Sequence, residues 1–110
     1  MSTPTAAAAP GTTATVPVEV VSWVTTFVGG DGSGRRVFDE PLVPGGTVRS
    51  VLTGLSDRYP ELARALWHGR DLGEHIEVLV NDAVLDITHS LDSPLAPGDR
   101  LALLGQYMGG

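Results

Sequence analysis

The stretch that decides the fold is PGDRLALLGQYMGG, residues 97–110. A Pro-Gly-Asp turn at 97–99 precedes the apolar run 101–104, and this order predicts a final β-strand. Two glycines follow shortly after that strand. Because glycine has no Cβ, a Gly-Gly end can enter a narrow channel and leaves a terminal carboxylate sterically accessible. With 14 glycines among 110 residues the pair alone is a weak signal, so its meaning depends on the fold before it.

Further strands are predicted before the final one. Ile76, Val78 and Val80 alternate with less apolar residues, which indicates a strand over residues 75–80 with one buried face. The Asn-Asp pair that follows predicts a tight turn, because both residue types tolerate left-handed backbone. A short strand over 84–87 comes next. Two apolar residues in the loop that follows, Leu91 and Leu95, are expected to anchor that loop under the sheet.

The middle of the chain predicts a helix. Thr47 is a plausible N-cap, and apolar residues then recur at the spacing of one helical face. These residues are Val48, Val51, Leu52 and Leu55. Tyr59 continues that face, and Pro60 is expected to halt or break the helix. A shorter helical stretch is predicted over 61–67 and a loop over 68–73.

The N-terminal part predicts a hairpin behind a leader. Residues 16–27 are rich in β-branched and aromatic side chains and predict a first strand, and 35–43 predict the returning strand. The glycine-rich loop 29–34 between them lacks the Lys-Ser/Thr ending of a phosphate-binding loop, so we interpret it as a hairpin connection. The element order gives an α+β fold with one main helix packed across a mixed sheet of four to five strands.

Three regions follow from this pattern. Residues 1–14 are rich in Ala, Thr and Pro and are expected to be a disordered leader. Residues 15–105 form the predicted domain, and residues 106–110 form a predicted flexible tail. The leader has no basic segment and is interrupted by prolines, so it does not resemble a signal peptide, and a cytoplasmic protein is expected.

Composition narrows the function classes. The sequence has no cysteine, and all seven basic residues are arginines. Disulfides, thiolate metal sites and a cysteine nucleophile are therefore excluded, and the chain cannot accept an isopeptide bond through lysines of its own. A net charge of -6 and a pI near 4.7 argue against nucleic acid and anionic membranes as partners. A basic protein surface would suit this charge.

No catalytic or metal-binding set is recognisable. His68, His75 and His89 do not show metal-ligand spacing. The chain has no Gly-x-Ser-x-Gly motif, and its acidic residues are spread over turns and strand ends. The sequence therefore predicts no bound metal or cofactor and no catalytic residues.

The C-terminal half resembles the MoaD/ThiS-type sulfur carriers, which are ubiquitin-like β-grasp proteins. The resemblance rests on Val80-Asn81 at a strand end, on Gly98-Asp99-Arg100-Leu101 entering the last strand, and on Gly109-Gly110. The helix also looks like that of the molybdopterin-synthase small-subunit branch. The similarity extends over about residues 16 to 110, and the order of the motifs makes the combination specific. Gln106-Tyr107-Met108 and the glycine-rich loop depart from the family pattern.

The resemblance implies a function for the tail. An adenylating enzyme of the ubiquitin-activating type would use ATP and Mg to activate the Gly110 carboxylate. A sulfur donor would then convert it to a thiocarboxylate, and a sulfur-accepting biosynthetic enzyme would receive the sulfur. Gly109 and Gly110 would be the reactive end, and the protein would be a carrier rather than an enzyme. The pathway could be molybdopterin, cysteine, a thiamine-type heterocycle or a sulfur-containing secondary metabolite.

The same tail leaves two other functions open. The first is a ubiquitin-like modifier joined through Gly110 to lysines of target proteins, and the second is a β-grasp binding module with an inert end. Whether the protein is a sulfur carrier or a modifier, exposed apolar residues near the end of the chain would contact the partner. The candidates are Leu103, Leu104, Tyr107 and Met108. Since neighbouring strand residues point to opposite faces, one of the two leucines should face away from the core.

Overall fold

A computed structural model of the chain describes residues 14–105. The predicted leader up to residue 13 and the predicted tail 106–110 lie outside the described residues. Ala14, the last residue assigned to the leader, already belongs to the first strand. The first strand thus begins one residue before the predicted domain start, and the disordered leader and the flexible tail stay predictions from the sequence.

Seven strands, two α-helices and one 3-10 helix form in the described part of the chain. They are β1 (Ala14–Val21), the 3-10 helix (Ser22–Val28), β2 (Arg35–Leu42), α1 (Val48–Arg58), α2 (Pro60–Leu66), β3 (Trp67–His68), β4 (Asp71–Leu72), β5 (Ile76–Val80), β6 (Ala83–Val84) and β7 (Leu101–Gly105). Five strands make one sheet in the order β2-β1-β7-β5-β6, and β3 pairs only with β4. The predicted α+β class with a mixed sheet is confirmed.

The last strand lies at the centre of the sheet. β7 runs parallel to β1, with Val18 opposite Leu101 and Val20 opposite Leu103. It runs antiparallel to β5, with Val78 also opposite Leu103. All five of these side chains are buried. Side chains alternate between the two faces of a strand, so these residues mark the inner face of the sheet, against which the helices pack.

Helix α1 begins as its sequence predicts. The Thr47 hydroxyl accepts a hydrogen bond from the Ser50 backbone N–H at 3.1 Å. The Ser50 hydroxyl in turn accepts one from the Thr47 N–H at 2.8 Å. Reciprocal bonds of this kind satisfy N–H groups that a helix start leaves free. The apolar face is buried, and the helix ends at Arg58, so that Pro60 begins α2 where its missing N–H costs nothing.

The loop between β6 and β7 is fastened to the start of α1. Leu95 is buried and Leu91 packs against the core, which confirms both as anchors. The Leu91 carbonyl accepts a hydrogen bond of 2.7 Å from the Arg49 N–H. The Arg49 guanidinium also binds the Asp92 carboxylate, with Nε to Oδ1 at 2.8 Å and Nη2 to Oδ2 at 3.2 Å. These contacts hold the loop that leads into β7.

An ion pair with one buried partner, Glu40, links β2 to α1. The Glu40 side chain is 3% exposed and the Arg58 side chain is 51% exposed. Their contact is bidentate, at 3.0 Å for Nη1–Oε1 and 2.6 Å for Nη2–Oε2, and the bonded Glu40 raises the pKa of Arg58. Beside this pair, the rings of Phe38 and Tyr59 meet edge to face at 5.6 Å. Sheet and helix are therefore joined by one charged and one aromatic contact.

The predicted first strand is wrong beyond Val21. Residues 22–28 form a 3-10 helix instead of continuing the strand. Ser22 has a φ of 59°, which turns the chain out of the sheet. The hydroxyl of Thr25 then donates to the Ser22 carbonyl at 2.8 Å, and that of Thr26 donates to the Trp23 carbonyl at 2.7 Å. These local bonds compete with strand pairing.

Two shorter predictions also need correction. The predicted loop 68–73 contains three of the four residues of a two-stranded ladder, in which Trp67 pairs with Leu72 and His68 with Asp71. The predicted strand 84–87 is limited to Ala83–Val84. Asp86 has a φ of 80°, and the chain turns away before Ile87. Strands of two residues are too short to produce a periodic pattern.

We predict that Arg58→Ala lowers the free energy of unfolding by about 2–3 kcal/mol, because it leaves the Glu40 carboxylate buried without its partner. The measurement is the urea midpoint by circular dichroism. Arg64→Ala is the matched control: Arg64 is exposed, lies in the last turn of α2, and forms no ion pair within residues 14–105. Equal midpoints for the two variants would contradict the structural role of the pair.

Candidate functional site at the two ends of the last strand

The described residues offer little for catalysis. Within residues 14–105 no group of three or more His, Asp or Glu side chains is placed to hold a metal ion. His68 and His75 are exposed, and His89 is half-buried beside Thr88, at 2.9 Å from its hydroxyl. No helix in this part of the chain is both long enough and apolar enough to cross a membrane. The candidate site is therefore the strand from which the tail leaves.

The sequence motifs that flank β5 and β7 meet at the start of β7. Asn81 donates from Nδ2 to Asp99 Oδ1 at 3.0 Å and accepts from the Arg100 N–H at 3.0 Å. The second Asp99 oxygen accepts from the Ala96 N–H at 2.8 Å. Asn81 and Asp82 have φ values of 51° and 71°, as the predicted turn requires. We call this group, Asn81, Ala96, Asp99 and Arg100, the entry lock.

The entry lock has a defined charge state. The hydrogen bonds from the Ala96 N–H and the Asn81 amide lower the pKa of Asp99 below its ordinary value of 3.8. Arg100 also forms an ion pair with Asp82 on the neighbouring turn. The carboxylate form of Asp99 is thus the form that fixes the turn, and β7 begins in one register against β5.

At the other end of β7, Gly105 lies under the indole ring of Trp23. A Cβ built on Gly105 would overlap the indole atoms Nε1, Cε2 and Cζ2. Gly105 shares the inner face of β7 with Leu101 and Leu103, and it pairs with the buried Ile76. Trp23 therefore occupies the place that a side chain at 105 would need, and only glycine permits this approach.

The 3-10 helix holds Trp23 in this place. Val24 and Val28 are buried in the core, and Thr25 is fully buried as well. Gly29 ends the helix with a φ of 83°, and its N–H bonds to the Thr25 carbonyl. The Phe27 ring meets Trp23 edge to face at 5.9 Å. Trp23 thus belongs to a short helix whose buried residues anchor it in the core.

The two predicted leucines lie on opposite faces. Leu103 is fully buried, so it contributes to the core, and its prediction as a partner contact is corrected. Leu104 is half-buried on the outer face, opposite Glu77 of β5. The other predicted site residues, Tyr107, Met108, Gly109 and Gly110, lie outside the described residues.

The outer face of the sheet carries a row of five residues, four of them apolar, that crosses all five strands; we call it the apolar row. In register, Val37 of β2 is followed by Glu19, Ala102, Leu79 and Val84. The two residues at the ends of the row are the most exposed, with Val37 at 53% and Val84 at 39%. Glu19, the one charged member, is paired with Arg35 at 2.6 Å. Four of the five residues in this row are therefore apolar, and Leu104 lies on the same face.

A concavity of about 280 Å³ also lies on the outer face, between Glu19, Arg35 and Arg100. It is next to Leu101, at the start of β7. Leu101 is four positions along the strand from Gly105, about 13 Å. The concavity is also lined by Val37, Glu19 and Ala102 of the apolar row, so it belongs to the part of the outer face near the start of β7 and not to the base of the tail.

Sequence reasoning missed Trp23 and Gly105. The sequence does contain a signal, since a glycine in an apolar strand indicates close approach by another group. It does not say which group approaches. That depends on the 3-10 helix, which was predicted as strand.

Comparison with known proteins identifies the fold. No protein-family model and no curated protein matches the chain, whereas solved structures do. Small archaeal modifier protein 1 (SAMP1) of Methanosarcina acetivorans is 23% identical, with a TM-score of 0.66 over 91% of this chain and 100% of that one. A chain of the Amycolatopsis orientalis BexX/CysO complex is 24% identical, with a TM-score of 0.64 over 84% and 99%. SAMP1 of Haloferax volcanii is 27% identical, with a TM-score of 0.59 over 86% and 99%.

The chain has the ubiquitin-like β-grasp fold. The neighbours include modifier proteins and CysO, so the fold implied by the resemblance to MoaD/ThiS-type carriers is confirmed. In this β-grasp domain, β7 is the strand that leads to the tail. The entry lock fixes its start and Trp23 covers its end.

We predict that Asp99→Asn destabilises the β-grasp domain by about 1–2 kcal/mol at pH 7. Asparagine replaces one of the two Asp99 oxygens with an NH2 donor, so either the Ala96 N–H or the Asn81 amide loses its acceptor at that position. Asp39→Asn is the control, because Asp39 is exposed on β2 and its side chain makes no hydrogen bond to the described residues.

Asp99 is also expected to make the stability of the domain depend on pH. Because folding lowers the pKa of Asp99, its carboxylate contributes stability above the ordinary value of 3.8, and this contribution is lost as the pH falls through the lowered folded value. Urea midpoints at pH 7 and pH 3 should therefore differ less for Asp99→Asn than for the wild type. An unchanged difference would show that Asp99 does not contribute to acid sensitivity.

Proposed function

We propose that this protein is a sulfur carrier whose Gly110 carboxylate is converted to a thiocarboxylate by a partner enzyme. The observation that carries the proposal is the position of β7. This central strand is fixed at both ends, and Gln106-Tyr107-Met108-Gly109-Gly110 follows it directly. Residues 106–110 could span at most about 17 Å when extended, which is enough to carry a terminal carboxylate into the active site of another protein.

The chemistry needs an outside activator because a carboxylate is a poor electrophile. In the first step, an oxygen of the Gly110 carboxylate attacks the α-phosphorus of ATP, held with Mg by an adenylating enzyme, and pyrophosphate leaves. In the second step, hydrosulfide attacks the acyl carbon and the bond to AMP breaks. The remaining S–H proton passes to water. Neither step changes an oxidation state.

The chain's own contribution would be presentation. A Gly-Gly end admits the carboxylate to a narrow channel, and because the sequence has no cysteine, no thiol side chain of this chain would compete with the terminal thiocarboxylate. The protein would then be a cosubstrate rather than an enzyme.

A second function is favoured by the named neighbours. Two of them are small archaeal modifier proteins, so Gly110 could instead be joined to lysine amines of target proteins after the same activation. Because this chain has no lysine, it could not be extended through lysine side chains of its own. The modifier hypothesis therefore predicts single attachments at each target lysine.

The deciding experiment is intact mass spectrometry after incubation with an adenylating enzyme of the ubiquitin-activating type, ATP, Mg and sodium sulfide. We expect a species about 16 Da heavier than the starting protein, since one oxygen is replaced by one sulfur. Deletion of Gly110 should abolish it. Gly109→Ala should slow its formation about tenfold or more, because a Cβ displaces the reacting carboxylate in the channel.

Gly54→Ala is the matched glycine control. Gly54 lies in α1, where an added Cβ would only contact Glu40 Oε1 at 3.8 Å. This variant should form the heavier species at the wild-type rate. Conjugates on an added lysine-containing protein, without the heavier species, would favour the modifier function. Equal reactivity of the Gly110 deletion and the wild type would refute both.

A further inference from the structure

We propose that Trp23 is a positioning residue for the C-terminal reaction: it fixes the direction in which the chain leaves β7. Trp23 would act through the backbone of Gly105 and would not touch the reacting atoms. This inference rests on the proposed function, because it concerns how the same tail is presented to the activating enzyme.

The position of Trp23 restricts the directions in which the backbone can continue after Gly105. Gly105 lies on the inner face of β7, together with Leu101 and Leu103, and the Trp23 indole covers it on that face. A chain that left Gly105 toward the helices would collide with the indole. The remaining directions are straight on from β7 or toward the outer face, where Leu104 lies.

The direction matters because the outer face carries the apolar row from Val37 to Val84. A partner that covers this row would receive the tail on the same side of the sheet. Trp23 would thus exclude inward conformations before binding, and fewer conformations would have to be lost when the tail enters the partner.

Trp23 is suited to this task because residues of its own 3-10 helix hold it in place. The buried residues of the 3-10 helix hold its backbone, and Phe27 supports its ring at 5.9 Å. The second tryptophan, Trp67, provides a comparison. It is also half-buried, but its Nε1 donates to the Ser56 hydroxyl at 3.0 Å, and it begins β3, away from the main sheet.

The first test does not require an activating enzyme. The ¹H–¹⁵N heteronuclear NOE of the Gly105 and Gln106 amides is measured in the wild type, in Trp23→Ala and in Trp67→Ala, all below their unfolding temperatures. We expect the NOE at these amides to fall in Trp23→Ala only. Unchanged values in Trp23→Ala would overturn the proposal, whatever the function of the tail.

A second test measures how directly Trp23 and Gly105 are coupled. Gly105→Ala should lower the urea midpoint in the wild-type background, because its Cβ overlaps the indole. The same substitution in Trp23→Ala should have a much smaller effect, because the space is then free. Equal effects in both backgrounds would show that the two residues are not in contact.

The third test is steady-state ATP–pyrophosphate exchange by the adenylating enzyme with each carrier variant. Trp23→Ala should raise the KM for the carrier about tenfold, equivalent to about 1.4 kcal/mol, and leave kcat within about twofold. Trp23→Phe, which keeps a ring over Gly105, should restore most of the affinity. Trp67→Ala should leave KM unchanged.

These experiments distinguish failure of the proposed function from failure of the proposed role of Trp23. If the wild type supports no exchange while the NOE at Gly105 still depends on Trp23, the proposed function fails and the role of Trp23 in fixing the chain exit stands. If exchange occurs but Trp23→Ala and Trp67→Ala change KM equally, Trp23 has only a packing role and the positioning proposal is wrong.

Discussion

The pairing of β7 between β1 and β5 is the constraint on which the rest of this structure depends. β7 contributes two leucines to the core and is the only link between the β1–β2 hairpin and the β5–β6 hairpin in the main sheet. Parallel pairing of β1 and β7 requires the chain to cross the sheet between them. Helices α1 and α2 lie in this intervening segment and cover the inner face. The core is therefore completed only when the last strand is in place.

The two ends of β7 are fixed by different physical interactions. At its start, Asn81 donates to Asp99 and accepts from the Arg100 N–H, while Asp99 also accepts from the Ala96 N–H. The bonds from Ala96 and Asn81 stabilise the ionised form of Asp99. At its end, an aromatic ring covers a glycine that has no side chain to displace it. Hydrogen bonds thus fix the register of β7 at its start, and the Trp23 ring covers its inner face at its end. The described part of the chain therefore ends at a defined point, as the proposed presentation to a partner would require.

The sequence predicted most elements for which the signal is local. Thr47 and the spacing of Val51, Leu52 and Leu55 are enough to define α1, because a cap and a helical face are read over neighbouring turns. The Asn81-Asp82 turn and the alternation in β5 are equally local. The 3-10 helix was missed since residues 22–28 have the composition of a strand, and only the positive φ of Ser22 and the hydroxyl bonds of Thr25 and Thr26 turn them away from the sheet.

The sequence by itself therefore determined the α+β class, the main helix, the resemblance to β-grasp carriers and the glycine end that suggests a reactive carboxylate. Tertiary structure decided which leucine of the last strand is buried, how Asn81 meets Asp99, and that Trp23 covers Gly105. Local backbone preferences and side-chain periodicity depend only on residues that are close together in the sequence. Contacts between residues that are distant along the chain form only after the strands have paired. The register of the paired strands determines which side chains lie next to each other on the same face of the sheet.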